Sequence, residues 1–249
     1  MTMRRADKSK NGGYTLIEEP SEKSLRAGKI DRTRAARGQI FDQLLEDVVS
    51  LRLKPGELVS VKDLATRFGV SRSPVREAII RLTNAGLMEI YPQSGTRVAP
   101  IRMNVVRQIY FVRTAIETAL VEALADAPLP EQIEALRGII DQQAKCADDG
   151  NLERFYSVDE RFHQTIADYA GFPHVWETID GQKPQMDRLR HLVLPQPSRL
   201  REIIAEHTAI VAAIELRDAA GARQTMAHHL QQVLTLQGVL HEKHPDYFE

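Results

Sequence analysis

The stretch Val61–Gly86, VKDLATRFGVSRSPVREAIIRLTNAG, decides how the first part of this chain folds. Its apolar residues recur at helical spacing, which predicts a short helix over 61–68 and a second helix over 71–84 with a tight turn between them. Ser71 is placed to cap the second helix, and Pro74 suits its first turn. This layout is typical of a helix-turn-helix, in which the second helix enters the major groove of DNA.

The polar face of the second helix carries the residue types that read DNA. An arginine fork can bond guanine O6 and N7 together, and hydroxyls near a helix N-terminus can bond phosphates. The candidates on this face are Ser71, Arg72, Ser73, Arg76 and, further along the helix, Arg81. A second interpretation stays open on periodicity alone, because a small α+β domain without DNA can also expose arginines on a solvated helix face.

The residues on either side extend this pattern. Residues 38–52 have helical apolar spacing, and two strand-like runs over 87–91 and 96–100 follow the helix pair. The loop between the two runs has the composition of a hairpin turn, so we expect a wing with Gly95 at its tip, lying along the adjacent minor groove or backbone. Residues 37–100 are therefore a candidate winged helix-turn-helix domain, with the small α+β domain as the alternative.

Beyond residue 100 the strand patterns disappear. Segments with helical periodicity are separated by prolines and glycines, and short connections of this kind join antiparallel neighbours in a helical bundle. The predicted helices cover residues 102–126, 130–149, 151–169, 173–194, 198–218 and 220–243. The sequence thus predicts a mainly α protein, with a second, all-helical domain over residues 101–249.

Charge is distributed unevenly along the chain. Residues 1–38 carry a net charge of +5, whereas residues 101–249 carry −7. Residues 1–36 lack apolar periodicity, so we predict a disordered basic tail. The single cysteine, Cys146, excludes an internal disulfide and fits a reducing cytoplasm, and no apolar run is long enough to predict a membrane span.

Four residues of the helical part suggest a metal site. Asp159 and His163 are four residues apart and share one helix face. His207 and His229 lie on apolar stripes of two later helices, and we prefer His229 to its neighbour His228 because Leu230 follows it. Three imidazoles and a carboxylate inside a bundle are suitable ligands for Zn²⁺, Ni²⁺, Mn²⁺ or Fe²⁺. The alternative is that each histidine is a hydrogen-bonded residue of the core.

The first part of the chain strongly resembles the winged helix-turn-helix of the GntR family of regulators. The matching residues are Val61-Lys62-Asp63-Leu64-Ala65, Phe68 to Ala78, Arg81-Leu82 and Gly86-Leu87, with the turn Leu53–Gly56 before them and Gly95-Thr96 after them. The resemblance implies that Arg72 and Arg76 contact bases or nearby phosphates. It further implies supporting contacts from Lys62, Ser71, Ser73 and Arg81 and from the wing near Gly95.

Residues 103–240 resemble the ligand-binding domain, called FCD, of the FadR subfamily within the GntR regulators. The resembling residues are Arg113 with Glu117, the run Asp159–His163, the run Glu206–Ile210, and His229-Leu230. The resemblance implies a divalent metal held by Asp159, His163, His207 and His229, and a small carboxylate effector beside it. Arg113 is the candidate effector clamp, and a salt bridge to Glu117 is its alternative; Arg190 and Arg201 are weaker candidates.

These features together predict a cytoplasmic, dimeric transcription regulator rather than an enzyme. Its affinity for double-stranded operator DNA would respond to a small organic or sugar acid at the metal site, with repression as the expected action. Two rivals remain at this stage. A metalloenzyme would need a general base beside the metal, and a metal sensor would respond to the ion itself.

Overall fold

The computed structural model describes residues 36–181, 183–193 and 197–249. The predicted disordered tail therefore lies almost wholly outside the described residues. The first group of elements, which we call the head, consists of α1 (Ala36–Val49), β1 (Leu58–Val59), α2 (Val61–Phe68), α3 (Arg72–Asn84), β2 (Met88–Tyr91) and β3 (Gly95–Val98).

The head confirms the predicted winged helix-turn-helix. Ser60 caps α2 by accepting a hydrogen bond from the Asp63 backbone at 3.3 Å, and Gly69 ends this helix with φ at 65°. That left-handed conformation favours glycine and allows the tight turn into α3. α1 packs on α3, and the core between the helices contains Leu44 and Leu82, both fully buried.

The wing is a three-stranded antiparallel sheet rather than the predicted two-stranded hairpin. Its strand order is β1-β3-β2, and Val59 pairs with Thr96. Sequence periodicity missed β1 because a strand of two residues contains no alternation to detect. The pairing attaches the wing to the segment that precedes α2.

The second group of elements, the helical part, confirms the predicted bundle. It consists of α4 (Met103–Asp126), α5 (Pro130–Asp148), α6 (Leu152–Tyr169), α7 (Val175–Asp180), α8 (Lys183–Val193), α9 (Pro197–Glu215), α10 (Ala219–Thr235), α11 (Gln237–Lys243) and a 3₁₀ turn (Pro245–Tyr247). α4 packs on α10, and α5 packs on both α6 and α9. Within the described residues, no helix combines the length and apolarity that crossing a membrane requires.

Two of the six predicted helices are wrong in extent, because the structure divides each of them into two helices. The predicted helix 173–194 divides at Gly181 into α7 and α8, because Pro184 in the first turn of α8 cannot continue a helix that arrives from α7. The predicted helix 220–243 divides at Leu236 into α10 and α11. Gly238, a poor helix former, lies just after that break.

α8 joins the helical part to the head through hydrogen bonds. Gln185 Nε2 donates to the backbone oxygen of Gly86 at 2.7 Å, at the end of α3. The fully buried Arg188 donates to the backbone oxygens of Ala99 and Pro100, which follow the wing. Because Arg190 lies on the same short helix, α8 reaches from the head to the predicted metal ligands.

Candidate metal centre and DNA-reading surface

The structure brings the four predicted metal ligands together at the centre of the helical part. His163 on α6, His207 on α9 and His229 on α10 are buried, and their ligand atoms all lie within 4.8 Å of one another. His229 Nε2 is 3.3 Å from His163 Nε2 and 3.4 Å from His207 Nε2. Asp159, one turn before His163, places Oδ1 3.7 Å from His207 Nε2.

Each histidine is oriented through its other ring nitrogen. Glu117 Oε2 lies 2.5 Å from His163 Nδ1, and Gln143 Oε1 lies 2.8 Å from His207 Nδ1. Glu206 Oε2 lies 2.6 Å from His229 Nδ1. Gln143 and Glu206 are thus hydrogen-bond partners of Nδ1 of His207 and His229, and Glu117 makes a close ionic contact with Nδ1 of His163, which leaves the three Nε2 atoms close to one another. This is the outer-shell arrangement that metal-binding histidines use, so the residues fit a divalent cation.

Burial and neighbouring charges keep Asp159, His163 and His207 in the protonation states that bind metals. Burial lowers the pKa of His163, and burial together with the nearby His229 lowers the pKa of His207 well below its usual value. Burial alone would raise the pKa of Asp159, but Arg190 and the histidines outweigh it and hold that pKa below its usual value. Neutral imidazoles beside an ionised carboxylate are the ligand forms that a cation requires.

His229 rather than His228 belongs to this cluster. His229 is buried, whereas His228 is exposed and contacts Gln232 one turn along the same helix. The two side chains diverge because adjacent residues of a helix are separated by about 100° around its axis. The structure therefore places His229, and not His228, beside His163 and His207.

A small cavity of about 20 Å³ adjoins His163 and His229, which is room for about one water molecule. Three buried arginines line it, and each is paired with a carboxylate of the cluster. Arg113 pairs with buried Glu117, Arg190 with buried Asp159, and Arg199 with partly buried Glu206 at 2.6 and 3.0 Å, so each carboxylate has a matched positive charge.

The candidate effector clamp Arg113 thus makes the salt bridge to Glu117 that sequence analysis had left open as its alternative. Its Nη1 also lies 3.3 Å from Met186 Sδ of α8. Arg190 lines the cavity, but Arg201 is exposed and does not. Sequence analysis missed Arg199, although its spacing of seven residues from Glu206 places both on one face of α9.

The acids next to the histidines in sequence are engaged in ion pairs. Glu206 accepts hydrogen bonds from His229 and Arg199, and these neighbours lower its pKa although burial acts to raise it. Glu160 is paired with Lys183 of α8. Both carboxylates are therefore engaged by basic side chains of the helical part.

The head exposes the predicted DNA-contacting residues on one helix pair and at the wing. Arg72, Ser73 and Arg76 are exposed on α3, and Lys62 is exposed on α2. Ser71 occupies the N-cap position of α3, where its side chain makes no capping hydrogen bond. Gly95 begins β3 with φ at 97°, a left-handed value that suits the tip of a hairpin.

Two arginines of the head have positions that sequence analysis did not predict. The guanidinium of Arg81 lies 3.5 Å from the centre of the Phe41 ring, a cation–π contact that attaches α3 to α1. Arg97 is exposed on β3 and donates to the backbone oxygen of Gly56 at 3.2 Å. Sequence analysis passed over Arg97, yet it is the only basic residue in the predicted wing, which was the available signal.

Comparison with known proteins gives the same division of the chain. Residues 36–98 match the family described as "Bacterial regulatory proteins, gntR family", and residues 108–232 match the FCD domain. The Escherichia coli "HTH-type transcriptional repressor RspR" is 32% identical over 220 residues, which cover 88% of this chain and 96% of that protein.

Two solved structures share the fold. The structure described as "E. coli McbR/YncC" has a TM-score of 0.66 at 23% identity and covers 85% of this chain and 99% of its own. A "putative transcriptional regulator GntR" from Rhodococcus sp. RHA1 has a TM-score of 0.67 at 17% identity and covers 81% of this chain and 97% of its own. At sequence identities this low, the similarity shows a shared fold and nothing more.

Proposed function

This chain belongs to the GntR family of bacterial transcription regulators, with an FCD domain behind its helix-turn-helix, and we propose that a small organic or sugar acid bound at a metal site controls its affinity for operator DNA. The metal is a divalent ion such as Zn²⁺, Ni²⁺, Mn²⁺ or Fe²⁺, held by Asp159, His163, His207 and His229. Repression of transcription is the proposed action, by analogy with the repressor named above.

DNA contacts are assigned to the exposed surface of α3 and its surroundings. Arg72 and Arg76 read base edges or adjacent phosphates, and Ser71 and Ser73 bond phosphates at the positive end of the helix. Lys62 adds a phosphate contact from α2, and the wing approaches the backbone through Gly95 and Arg97. Arg81 supports this surface indirectly, since it holds α3 against Phe41.

The acid is recognised by charge at the buried cluster. When bound, the metal supplies open coordination positions that a carboxylate oxygen can occupy. A cation adds positive charge to a cavity in which the arginines and carboxylates are already matched, so an anionic ligand is the complementary partner. Arg113 and Arg190 line the cavity and present guanidinium forks that suit a carboxylate.

The size of the cavity provides the link to DNA binding. The space of about 20 Å³ holds about one water molecule, so the proposal includes an arrangement, favoured by the ligand, in which the surrounding helices move apart. α8 is one of these helices, because Arg190 lines the cavity while Gln185 and Arg188 hold the head. Operator affinity then changes by the difference in ligand affinity between the two arrangements.

The observation that carries this proposal is the convergence of three oriented Nε2 atoms and Asp159 inside a domain that is tied to the head. The test begins with metal analysis of the purified full chain, followed by thermal melting with a series of small organic and sugar acids. Acids that raise the melting temperature are then titrated into a fluorescence-anisotropy assay with operator DNA. We expect at least one acid to change operator affinity in the metal-loaded protein and to lose this effect in chelator.

The same assay separates the proposed function from its rival. A metal sensor would bind operator differently with and without the ion and would ignore every acid. A protein that contains no metal after purification, takes up none of the four ions and binds no duplex from its own upstream region would contradict the proposal.

A further inference from the structure

The joint between the head and the helical part, residues 99–102, is held from two sides. On one side, Arg188 of α8 donates hydrogen bonds to the backbone oxygens of Ala99 and Pro100. On the other side lies the segment that follows α11, residues 245–249, which we call the strap. The joint is therefore fixed by α8 and the strap together.

The strap pairs with the joint in the manner of a parallel strand. Ile101 and Phe248 form a parallel bridge. The backbone N–H of Ile101 donates to the Tyr247 oxygen at 2.7 Å, and the backbone N–H of Glu249 donates to the Ile101 oxygen at 3.1 Å. Because Ile101 is fully buried, these two hydrogen bonds satisfy backbone groups that have no access to water.

Phe248 anchors the strap to the helical part. Its side chain packs against the buried cluster that contains Ile101 and Leu240. The centre of its ring lies 5.8 Å from that of His241 on α11. The strap follows α10 and α11 along the chain, so it connects the joint with the helix that carries His229.

Arg102 extends this connection from the strap to the wing. Its Nε donates to Glu249 Oε2 at 2.9 Å, and its Nη2 donates to Glu89 Oε1 on β2. The other carboxylate oxygen of Glu89 accepts a hydrogen bond from the Tyr91 hydroxyl at 2.5 Å. Both oxygens of Glu89 are thus engaged.

Glu89 is the cross-strand neighbour of Arg97, the exposed arginine of β3. Side chains opposite each other on adjacent strands are close enough to interact, and opposite charges attract. Arg102 and Tyr91 engage Glu89, however, and Arg97 donates to the backbone oxygen of Gly56. The positive charge of Arg97 therefore stays exposed at the wing.

We propose that the strap and Arg102 position the wing for DNA. The strap fixes the joint, and Arg102 holds the carboxylate of Glu89 away from Arg97, so that Arg97 can contact a phosphate. This deepens the proposed function, on which the DNA contact of Arg97 rests. Without the strap the wing would turn relative to the helical part, and a released Glu89 would compete with phosphate for Arg97.

Amide hydrogen exchange of the full chain tests the strap without DNA, metal or acid. The Ile101 amide should exchange slowly in wild type, and Phe248→Asp should accelerate it by at least about tenfold, because a charge cannot replace the anchoring ring. The Ala99 amide, which donates to Leu87, should keep its wild-type rate. Val239→Asp, at an exposed residue of α11, is the matched control. Rapid exchange of Ile101 in wild type, or an unchanged rate in Phe248→Asp, overturns the proposal.

Operator binding tests the effect of Arg102 on Arg97. Measured by fluorescence anisotropy with a duplex from the chain's own upstream region, Arg102→Gln should weaken binding by about fivefold, and Arg102→Lys should recover most of the affinity. In an Arg97→Ala background, Arg102→Gln should cost less than about twofold, because residues that act on one contact are not additive. In an Arg72→Ala background it should still cost about fivefold.

Equal losses in the two backgrounds overturn the role assigned to Arg102, because a general effect of charge or stability is additive with both. Melting temperatures of the variants check that each remains folded. A chain that binds operator while Ile101 exchanges rapidly contradicts only the strap. A chain with a protected Ile101 that ignores every duplex contradicts the proposed function and, with it, the role of Arg97.

Discussion

At the scale of single residues, the cluster repeats one arrangement three times. Each histidine places Nε2 near the other two and Nδ1 beside an oxygen atom, and two of the three oxygens belong to carboxylates that are paired with an arginine. The third oxygen belongs to the neutral Gln143, whose Nε2 donates to Asp159 Oδ1 at 3.3 Å. Buried charges paired in this way are costly to disturb, since removal of one partner leaves the other uncompensated.

Removal of one histidine should abolish metal binding. His207→Ala leaves two imidazoles on two helices, so we expect the metal content of the purified protein to fall from about one ion per chain to near zero, with loss of any response to acids. Inductively coupled plasma mass spectrometry measures the metal. The control is His228→Ala, which changes an exposed histidine of α10. Equal metal loss in both variants would remove the argument for this cluster.

Truncation of one arginine of α3 should weaken operator binding without affecting the helical part. We expect Arg72→Ala or Arg76→Ala to lose about 1–3 kcal/mol of binding free energy if the side chain reads a base. Fluorescence anisotropy measures the affinity, and melting temperature checks the fold. Arg154→Ala, at an exposed arginine of α6, serves as control for net charge. An affinity loss common to all three variants would indicate that charge alone, and not the α3 surface, contacts DNA.

At the scale of elements, α8 connects the metal cluster with the head. It contributes Arg190 to Asp159, and the backbone oxygen of Arg190 accepts a hydrogen bond from Tyr156 at 3.1 Å. One turn earlier, Gln185 and Arg188 hold the end of α3 and the linker after the wing. A displacement of α8 by a ligand would therefore act directly on the orientation of the head.

Gln185→Ala should reduce the coupling between acid and DNA. The variant loses the hydrogen bond to Gly86 but keeps the residues assigned to metal, acid and DNA. We expect near-normal operator affinity and acid binding, and a smaller ratio between operator affinities with and without acid. Gln164→Ala, at an exposed glutamine of α6, should keep the wild-type ratio. An unchanged ratio in Gln185→Ala would show that coupling does not pass through this contact.

At the scale of the whole molecule, buried ionic groups link the stability of the helical part to pH. Burial acts to raise the pKa of Glu117, but Arg113 and His163 outweigh it and lower that pKa from 4.5 to about 2. A carboxyl group whose pKa is lower in the folded state stabilises the fold fully above its unfolded pKa. That contribution is lost as the pH falls towards the folded pKa.

The metal-free protein should therefore lose stability in acid. Between about pH 4.5 and pH 2, Glu117 alone contributes a loss on the order of 3 kcal/mol. Urea unfolding in chelator at a series of pH values measures this dependence. Glu117→Gln should be less stable near neutral pH and should show a shallower dependence, whereas Glu153→Gln, at an exposed glutamate, should follow wild type. If the free energy of unfolding depended on pH identically in all three proteins, Glu117 would not be the source of the acid sensitivity.

The sequence by itself determined the helix-turn-helix and the helical character of the second domain, and it named the four candidate metal ligands. Helical spacing placed α2 and α3 nearly to the residue, because apolar periodicity and the turn at Gly69 are local signals. The interval from Asp159 to His163 put two candidate ligands on one helix face. The family resemblance then joined them to His207 and His229, which spacing alone could not do.

Only the tertiary structure decided which groups meet. Sequence analysis could not connect Gln143 with His207, or Gln185 with Gly86, because these pairs are 64 and 99 residues apart and belong to helices whose relative placement depends on packing. It left open whether Arg113 binds an effector or forms a salt bridge to Glu117. It also missed both β1 and the pairing of Arg199 with Glu206. Periodicity tells which face of a helix is buried, whereas the partner that a buried charge finds depends on the neighbouring helices that pack against it.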